Sequence, residues 1–138
     1  MSANKALVQR LYDEVAGQGN IDLIDELVDE NMIEHEEFPG VEPNREGVKA
    51  VFRLFRSAFP DLRFEALQSV EEGDLVCVMA RITGTHREEF MGMPATGKPI
   101  DVTAFDLLRI RDGRIVEHWG LTDSMTMMVQ LGAIPGPA

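Results

Sequence analysis

The sequence predicts an α+β fold in which a strongly curved, mostly antiparallel sheet, wrapped as a cone-shaped barrel, surrounds three N-terminal helices. Three observations lead there. Apolar residues recur at helical spacing as far as Phe59 and alternate with period two beyond Pro60. Helices gathered ahead of strands exclude a doubly wound sheet, whose elements alternate. Three amphipathic helices can also cover only one face of the four strands this pattern yields, so the sheet should bend around them and enclose a pocket.

Each element has its own signal. From Ser2, residues Leu7, Val8, Leu11, Tyr12 and Val15 form the stripe of a first helix that Gly17 and Gly19 end. Asn20 can cap a second helix, with Asp22, Asp25 and Glu26 near its positive end and Leu23, Ile24, Leu27 and Val28 buried, stopping near Asn31. Asn44 opens a third, whose stripe Val48, Val51, Phe52, Phe55 and Phe59 is terminated by Pro60. Leu62, Phe64, Ala66, Gln68 and Val70 then share one face of a strand ending at Glu71-Glu72-Gly73-Asp74. A second strand runs from Leu75 to about His86, and a Gly- and Pro-containing connection, Gly92 to Pro99, precedes a third from Ile100 to Arg111. Asp112-Gly113 is a hairpin turn, after which a strand from Arg114 to about Thr122 leads into a short Met-rich helix, Ser124 to Leu131.

The 138 residues are expected to form one domain, with 44% hydrophobic and 27% charged residues placing the chain among globular proteins. A net charge of −11, with Lys and Arg scattered singly, disfavours nucleic acid and anionic membranes as partners. There is no apolar stretch long enough to span a bilayer and no basic-then-apolar leader at the N-terminus, so a cytoplasmic location is expected. Cys77 lies in the apolar run Leu75–Met79 and reads as packing rather than as a nucleophile. GxGxxG, GxxxxGK[ST] and GxSxG motifs are missing, which removes dinucleotide, phosphoryl-transfer and hydrolase-triad chemistry as first expectations.

Ionisable residues at otherwise apolar strand positions are the informative ones, because burial of an unpaired polar group costs several kcal/mol. If alternation on the last strand is unbroken, Ile115, Glu117, Trp119, Leu121 and Asp123 share one face, and Val116, His118 and Thr122 share the other. Asp123 near Trp119 could be a desolvated general acid or base, or it could cap the helix that starts at Ser124. His118 titrates in the range useful for proton transfer, and it could equally be a surface residue. His35, followed by Glu36 and Glu37, could have its ring oriented by a carboxylate or sit on an exposed loop. His86, with Glu88 and Glu89 after it and Glu34, Glu36 and Glu37 elsewhere, does not have the spacing of a compact ligand motif, so no metal is expected. Arg81 and Asp106 each interrupt an apolar strand and could form a cross-sheet ion pair or bind a substrate oxygen. Met125, Met127 and Met128 read as adaptable packing.

Phe59-Pro60-Asp61-Leu62, Glu72-Gly73-Asp74, Gly84-Thr85-His86, Thr96-Gly97, the run from Asp112 to Trp119 with Asp123, and Gln130-Leu131-Gly132 occur in an order and spacing that resembles the SnoaL-like polyketide cyclase family. The resemblance spans nearly the whole chain. It implies the cone-shaped fold of the nuclear transport factor two and ketosteroid isomerase superfamily, and an intramolecular aldol condensation of a small hydrophobic ester or ketone without metal or organic cofactor. Asp123 matches the family's acid/base position, while His118 and His35 look like its catalytic companions and Trp119 like a pocket residue. Arg81, Asp106 and His86 are further substrate-binding candidates, with Phe52, Phe55 and Phe105 as apolar walls. A homodimer or higher homo-oligomer is expected. The alternatives are isomerase or epoxide-hydrolase-like chemistry, or a non-catalytic ligand-binding or dimerisation domain in which Asp123 is a cap.

Overall fold

The computed structural model describes residues 1–136. Ser2 caps the first helix by accepting a hydrogen bond from the Lys5 N–H at 3.1 Å. This helix, α1 (Ala3–Arg10), widens into a π-helical stretch, Leu11–Gly17, and the continuous stripe Leu7, Val8, Leu11, Tyr12, Val15 and Ala16 is buried. A 3-10 turn, Ile21–Leu23, precedes a single turn of helix, α2 (Ile24–Leu27). Asn44 caps α3 (Arg45–Ala58) by accepting from the Gly47 N–H at 3.0 Å, and the extended conformation before Pro60 ends that helix at Phe59. A last helix, α4 (Ser124–Gln130), follows the sheet.

The second helix is shorter than its apolar pattern suggested, because Val28–Glu34 is a strand, β1. Its register shifts between Val28 and Ile33, so the buried residues are Val28 and Met32, four positions apart. That spacing is what imitates a helix. Among the described residues the sheet therefore has five strands rather than four: β1, then β2 (Arg63–Glu72), β3 (Leu75–Thr85), β4 (Pro99–Arg111) and β5 (Arg114–Thr122), in the spatial order β1-β5-β4-β3-β2. β1 runs parallel to β5, and every other pairing is antiparallel. The sheet is mixed and curved, with the cone-like architecture expected from the sequence. Asp112 and Gly113 both adopt positive φ, 52° and 74°, as the tight β4–β5 hairpin requires.

Two bulges decide which side chains face inward. In β2, Leu67 is the extra residue between the pairs Ala66↔Ala80 and Gln68↔Met79, so Val70 turns to the outer face and is 59% exposed, against the unbroken alternation expected from the sequence. In β5, Val116 is the extra residue between Ile115↔Ile110 and Glu117↔Arg109. Ile115, His118, Gly120 and Thr122 consequently share the inner face, and Glu117, Trp119 and Leu121 the outer one.

The inner face packs Val76, Val78, Ala80 and Ile82 of β3, with Val102, Ala104, Leu108 and Ile110 of β4, against the helices. Each fully buried Val, Leu or Ile side chain among them contributes roughly 1.5–3 kcal/mol relative to exposure. One cluster gathers under α1 and β1, and the other gathers around Phe59, Leu62, Phe90, Ile100 and Leu131. Among the described residues, no helix is long and apolar enough to cross a membrane.

Candidate active site

A cavity of about 920 Å³ opens between α3 and the inner face of the sheet. That is ample for a polycyclic small molecule. Its walls are largely apolar, with Phe52 and Phe55 from α3, Phe64 from β2, Phe90 from the β3–β4 connection, and Met127 and Met128 from α4. The polar lining is acidic. Among the described residues, Glu34, Glu36, Glu37, Glu42 and Asp106 line it together with His35 and His118, and neither Lys nor Arg does.

Four of the lining side chains form one hydrogen-bonded chain. The Tyr12 hydroxyl, carried by the π-helical stretch, donates to Asp106 Oδ2 at 2.5 Å, and Asp106 Oδ1 lies 2.8 Å from His118 Nε2. His118 Nδ1 in turn lies 2.6 Å from Glu34 Oε1, and that same oxygen accepts the Glu36 N–H at 2.9 Å. Strand register explains the assembly: Glu34 pairs with His118 across β1 and β5, and Asp106 pairs with Gly120, the next inner-face residue after His118 on β5, which makes Asp106 and His118 diagonal neighbours. His118, Glu34 and Asp106 are all strongly buried, with side chains 13–15% exposed.

Electrostatics follow from the geometry. Burial alone would strip the proton from His118, but hydrogen bonds and Coulomb attraction from Asp106 and Glu34 outweigh it and push its pKa up to about 10. At neutral pH it is an imidazolium with both N–H groups engaged. Burial, reinforced by Asp106, holds the Tyr12 hydroxyl far above its ordinary range, so it remains a donor. Glu36 is different. Its only side-chain hydrogen bond among the described residues is a long one, 3.4 Å, from the Thr122 hydroxyl. Burial raises its pKa above the usual glutamate value, with Asp106 and Glu34 adding to the effect and His118 opposing it.

Donor atoms of Glu36, Asp106 and His118 lie within 4.8 Å of one another, which is close enough for a cation. For His118 to serve as a ligand it would have to lose a proton held up to a pKa of about 10, so protons compete strongly with any metal there.

The sequence-predicted residues divide between the two faces. His118, Asp106, Phe52 and Phe55 line the cavity, and His35 borders it but turns its ring to the outer-face residues, stacked on Trp119 at 4.7 Å with Nε2 2.7 Å from Glu117. Asp123 does not line it. It is exposed, and its carboxylate caps α4 by accepting from the Thr126 N–H at 3.1 Å and the Thr126 hydroxyl at 2.6 Å. Those bonds lower its pKa, the reverse of the shielded, raised carboxyl anticipated for an acid/base. Trp119 falls on the outer face because of the Val116 bulge, and Phe105, 50% exposed, lies on that face too. Arg81 makes a two-pronged outer-face pair with Asp101 at 2.8 and 2.6 Å, and does not reach Asp106, which faces inward. His86 is fully buried outside the cavity, against Phe59 and Thr96, with Nε2 unpartnered among the described residues.

Local sequence patterns do not mark Tyr12, Glu34 or Glu36 as site residues. The usable signals were a lone tyrosine hydroxyl within an apolar helix stripe, and the alternation of buried Met32 with Glu34 and Glu36, which reads as an inward strand edge once β1 is recognised as a strand.

The profile of the SnoaL-like polyketide cyclases matches residues 6–131. The chain belongs to the SnoaL-like polyketide cyclase family. Solved structures agree with this membership. IdmH of Streptomyces antibioticus, a candidate polyketide cyclase, is 36% identical with a TM-score of 0.81, the alignment covering 94% of this chain and 98% of that one. TsrD of Streptomyces laurentii is 26% identical with a TM-score of 0.86 and 96% coverage of both chains. AclR of Streptomyces galilaeus, a candidate hydroxylase, is 27% identical with a TM-score of 0.86, covering 98% of this chain and 84% of that one. Among curated proteins, none matches the sequence.

Proposed function

We propose that this SnoaL-like protein is a cofactor-free acid/base enzyme that removes a proton from carbon beside the carbonyl of a small, neutral, hydrophobic substrate, as the opening step of an intramolecular aldol closure. The observation that carries the reading is the under-partnered Glu36 carboxyl, seated in a largely apolar cavity beside the fixed His118 imidazolium. Glu36 takes the α-proton, and the electron pair of the broken C–H bond moves into the enolate. The enolate carbon forms the new C–C bond at a second carbonyl of the same molecule, and the resulting alkoxide takes the proton back from Glu36. Negative charge on oxygen is offset by the His118 imidazolium through space rather than through a hydrogen bond, since Glu34 and Asp106 occupy both of its N–H groups and hold the ring in place. Asp123, on the exposed cap, has no part in this scheme.

The charge of the cavity narrows the substrate. Among the described residues, five carboxyl-bearing side chains and no Lys or Arg on the lining disfavour a free acid, so an ester or ketone is the form accommodated.

The test needs no knowledge of the natural substrate. α-Tetralone, a flat neutral ketone, is incubated with the protein in D₂O, and deuterium incorporation beside its carbonyl is followed by mass spectrometry. Exchange faster than the buffer rate, retained by Asp123→Asn, is expected. Binding of the ketone without accelerated exchange would instead make the domain a non-catalytic binder.

We also propose that two copies associate through the outer face of the sheet. Cys77, Leu107 and Trp119 form one cross-strand row there and Met79, Phe105 and Leu121 the next, with Leu121 79% exposed. Paired charges of both signs, Arg81–Asp101 on one flank and Arg109–Glu117 on the other, allow a two-fold copy to meet opposite charge. Light scattering should give a dimer for the wild type and a monomer for Leu121→Glu. A wild-type monomer at micromolar concentration would reject this interface.

A further inference from the structure

Gly120 is a glycine that neither a turn nor a positive φ requires, since its backbone lies outside the left-handed region. It sits within β5, facing inward, directly opposite Asp106 on β4. Glycine inside a strand gives up backbone entropy and side-chain packing, and it commonly marks a place where another group approaches closely. Here the approaching group is identifiable. A Cβ at position 120 would collide with Glu36 Oε1, and would stand 2.9 Å from His118 Cε1 and 3.0 Å from Asp106 Oδ1. The glycine thus leaves a side-chain-sized recess bounded by the three residues whose donor atoms cluster in the cavity. Glu36 fills it from β1's side of the sheet.

We propose that Gly120 is a positioning residue, whose missing side chain makes the seat that holds the Glu36 carboxyl against the His118–Asp106 pair. Any residue with a Cβ at this position drives the carboxyl out toward the cavity mouth and water. Its catalytic consequence rests on the reading of Glu36 as the base, but the seat itself does not.

The experiment is a carbon-13 NMR titration of the Glu36 carboxyl in the wild type and in Gly120→Ala, with α-tetralone exchange measured in parallel. In the wild type the Glu36 midpoint should lie above that of an ordinary glutamate. In Gly120→Ala it should fall toward the solvent-exposed value of about 4.3, and exchange should slow by about 10- to 100-fold, the size of effect that displacement of a reacting group produces. Adding Glu36→Asp, which shortens the side chain by one methylene, should restore part of both the midpoint and the rate. An unchanged Glu36 midpoint in a folded Gly120→Ala protein would overturn the proposal. Should Gly120→Ala fail to fold, Glu36→Ala is combined with it: the vacated space must then accept the new methyl and recover a dispersed spectrum, and a double variant that remains unfolded would also overturn it. Failure of the base reading is distinguishable, because Glu36→Gln would then exchange at the wild-type rate whatever the midpoint of Glu36 does on substitution of Gly120.

Discussion

Glu36→Gln should lower the rate of α-tetralone exchange by about 10² to 10⁴-fold, the contribution of one well-placed general base. The amide matches the carboxyl in shape and can still accept from the Thr122 hydroxyl, so what it removes is basicity. In the wild type, exchange requires the ionised form. Because burial lifts the Glu36 pKa above the usual glutamate value, the acid limb of the rate profile should lie above that of an ordinary glutamate and be missing in the variant. Stability should move the other way. A carboxyl whose folded-state pKa is raised opposes folding once pH passes its unfolded value, so at neutral pH removing the charge leaves thermal stability unchanged or higher. Loss of activity accompanied by a lower melting temperature would point to a structural role for Glu36 instead. An unaltered exchange rate would remove it from the mechanism.

How much of this site could be read from the chain depends on backbone irregularities. The segregation of helices and strands, the Asn44 cap, the Asp112-Gly113 hairpin and the bounds of β5 all follow from local patterns, and they place His118 and Asp106 on neighbouring strands. Alternation failed where a residue was inserted. The bulge at Val116 reverses the face of everything after it, moving Trp119 outward and His118 inward, and nothing in Arg114-Ile115-Val116-Glu117 marks the insertion. The irregular β1 concealed a fifth strand, and with it the inward direction of Glu34 and Glu36, whose spacing in the sequence matches no compact ligand motif. Asp123 shows a different limit. Its position before Ser124 suited a helix cap and a family acid/base position equally, and only the hydrogen bonds to Thr126 distinguish them. The side chains that matter most came from elements the periodicity assigned to other purposes. Tyr12 lay within a core stripe, and Gly120 had no side chain to classify.

The stability of the protein should fall as pH rises from about 6.5 to about 10, and His118 is the reason. Its pKa is 6.5 when unperturbed and about 10 in the folded protein, so between those values the folded state keeps a proton that the unfolded chain has released. The unfolding free energy must therefore decrease with pH in that window. The contribution is fully present below 6.5 and lost above 10. Replacing His118 with Gln at pH 6 should cost about 3–5 kcal/mol, because Glu34 and Asp106 are then left buried without the charge between them. As pH passes 10 the wild type itself gives up that charge, and its neutral imidazole keeps one N–H donor between two carboxylates, so the difference between the two proteins should narrow toward the value of a single hydrogen bond. Urea unfolding at pH 6, 8 and 10 measures it directly. A gap that does not change with pH would mean that His118 is neutral in the folded protein, and the cavity would then lack the positive charge opposite the enolate. The residual attraction for an oxyanion would have to come from hydroxyl groups on the lining, of which that of Tyr12 is already committed to Asp106.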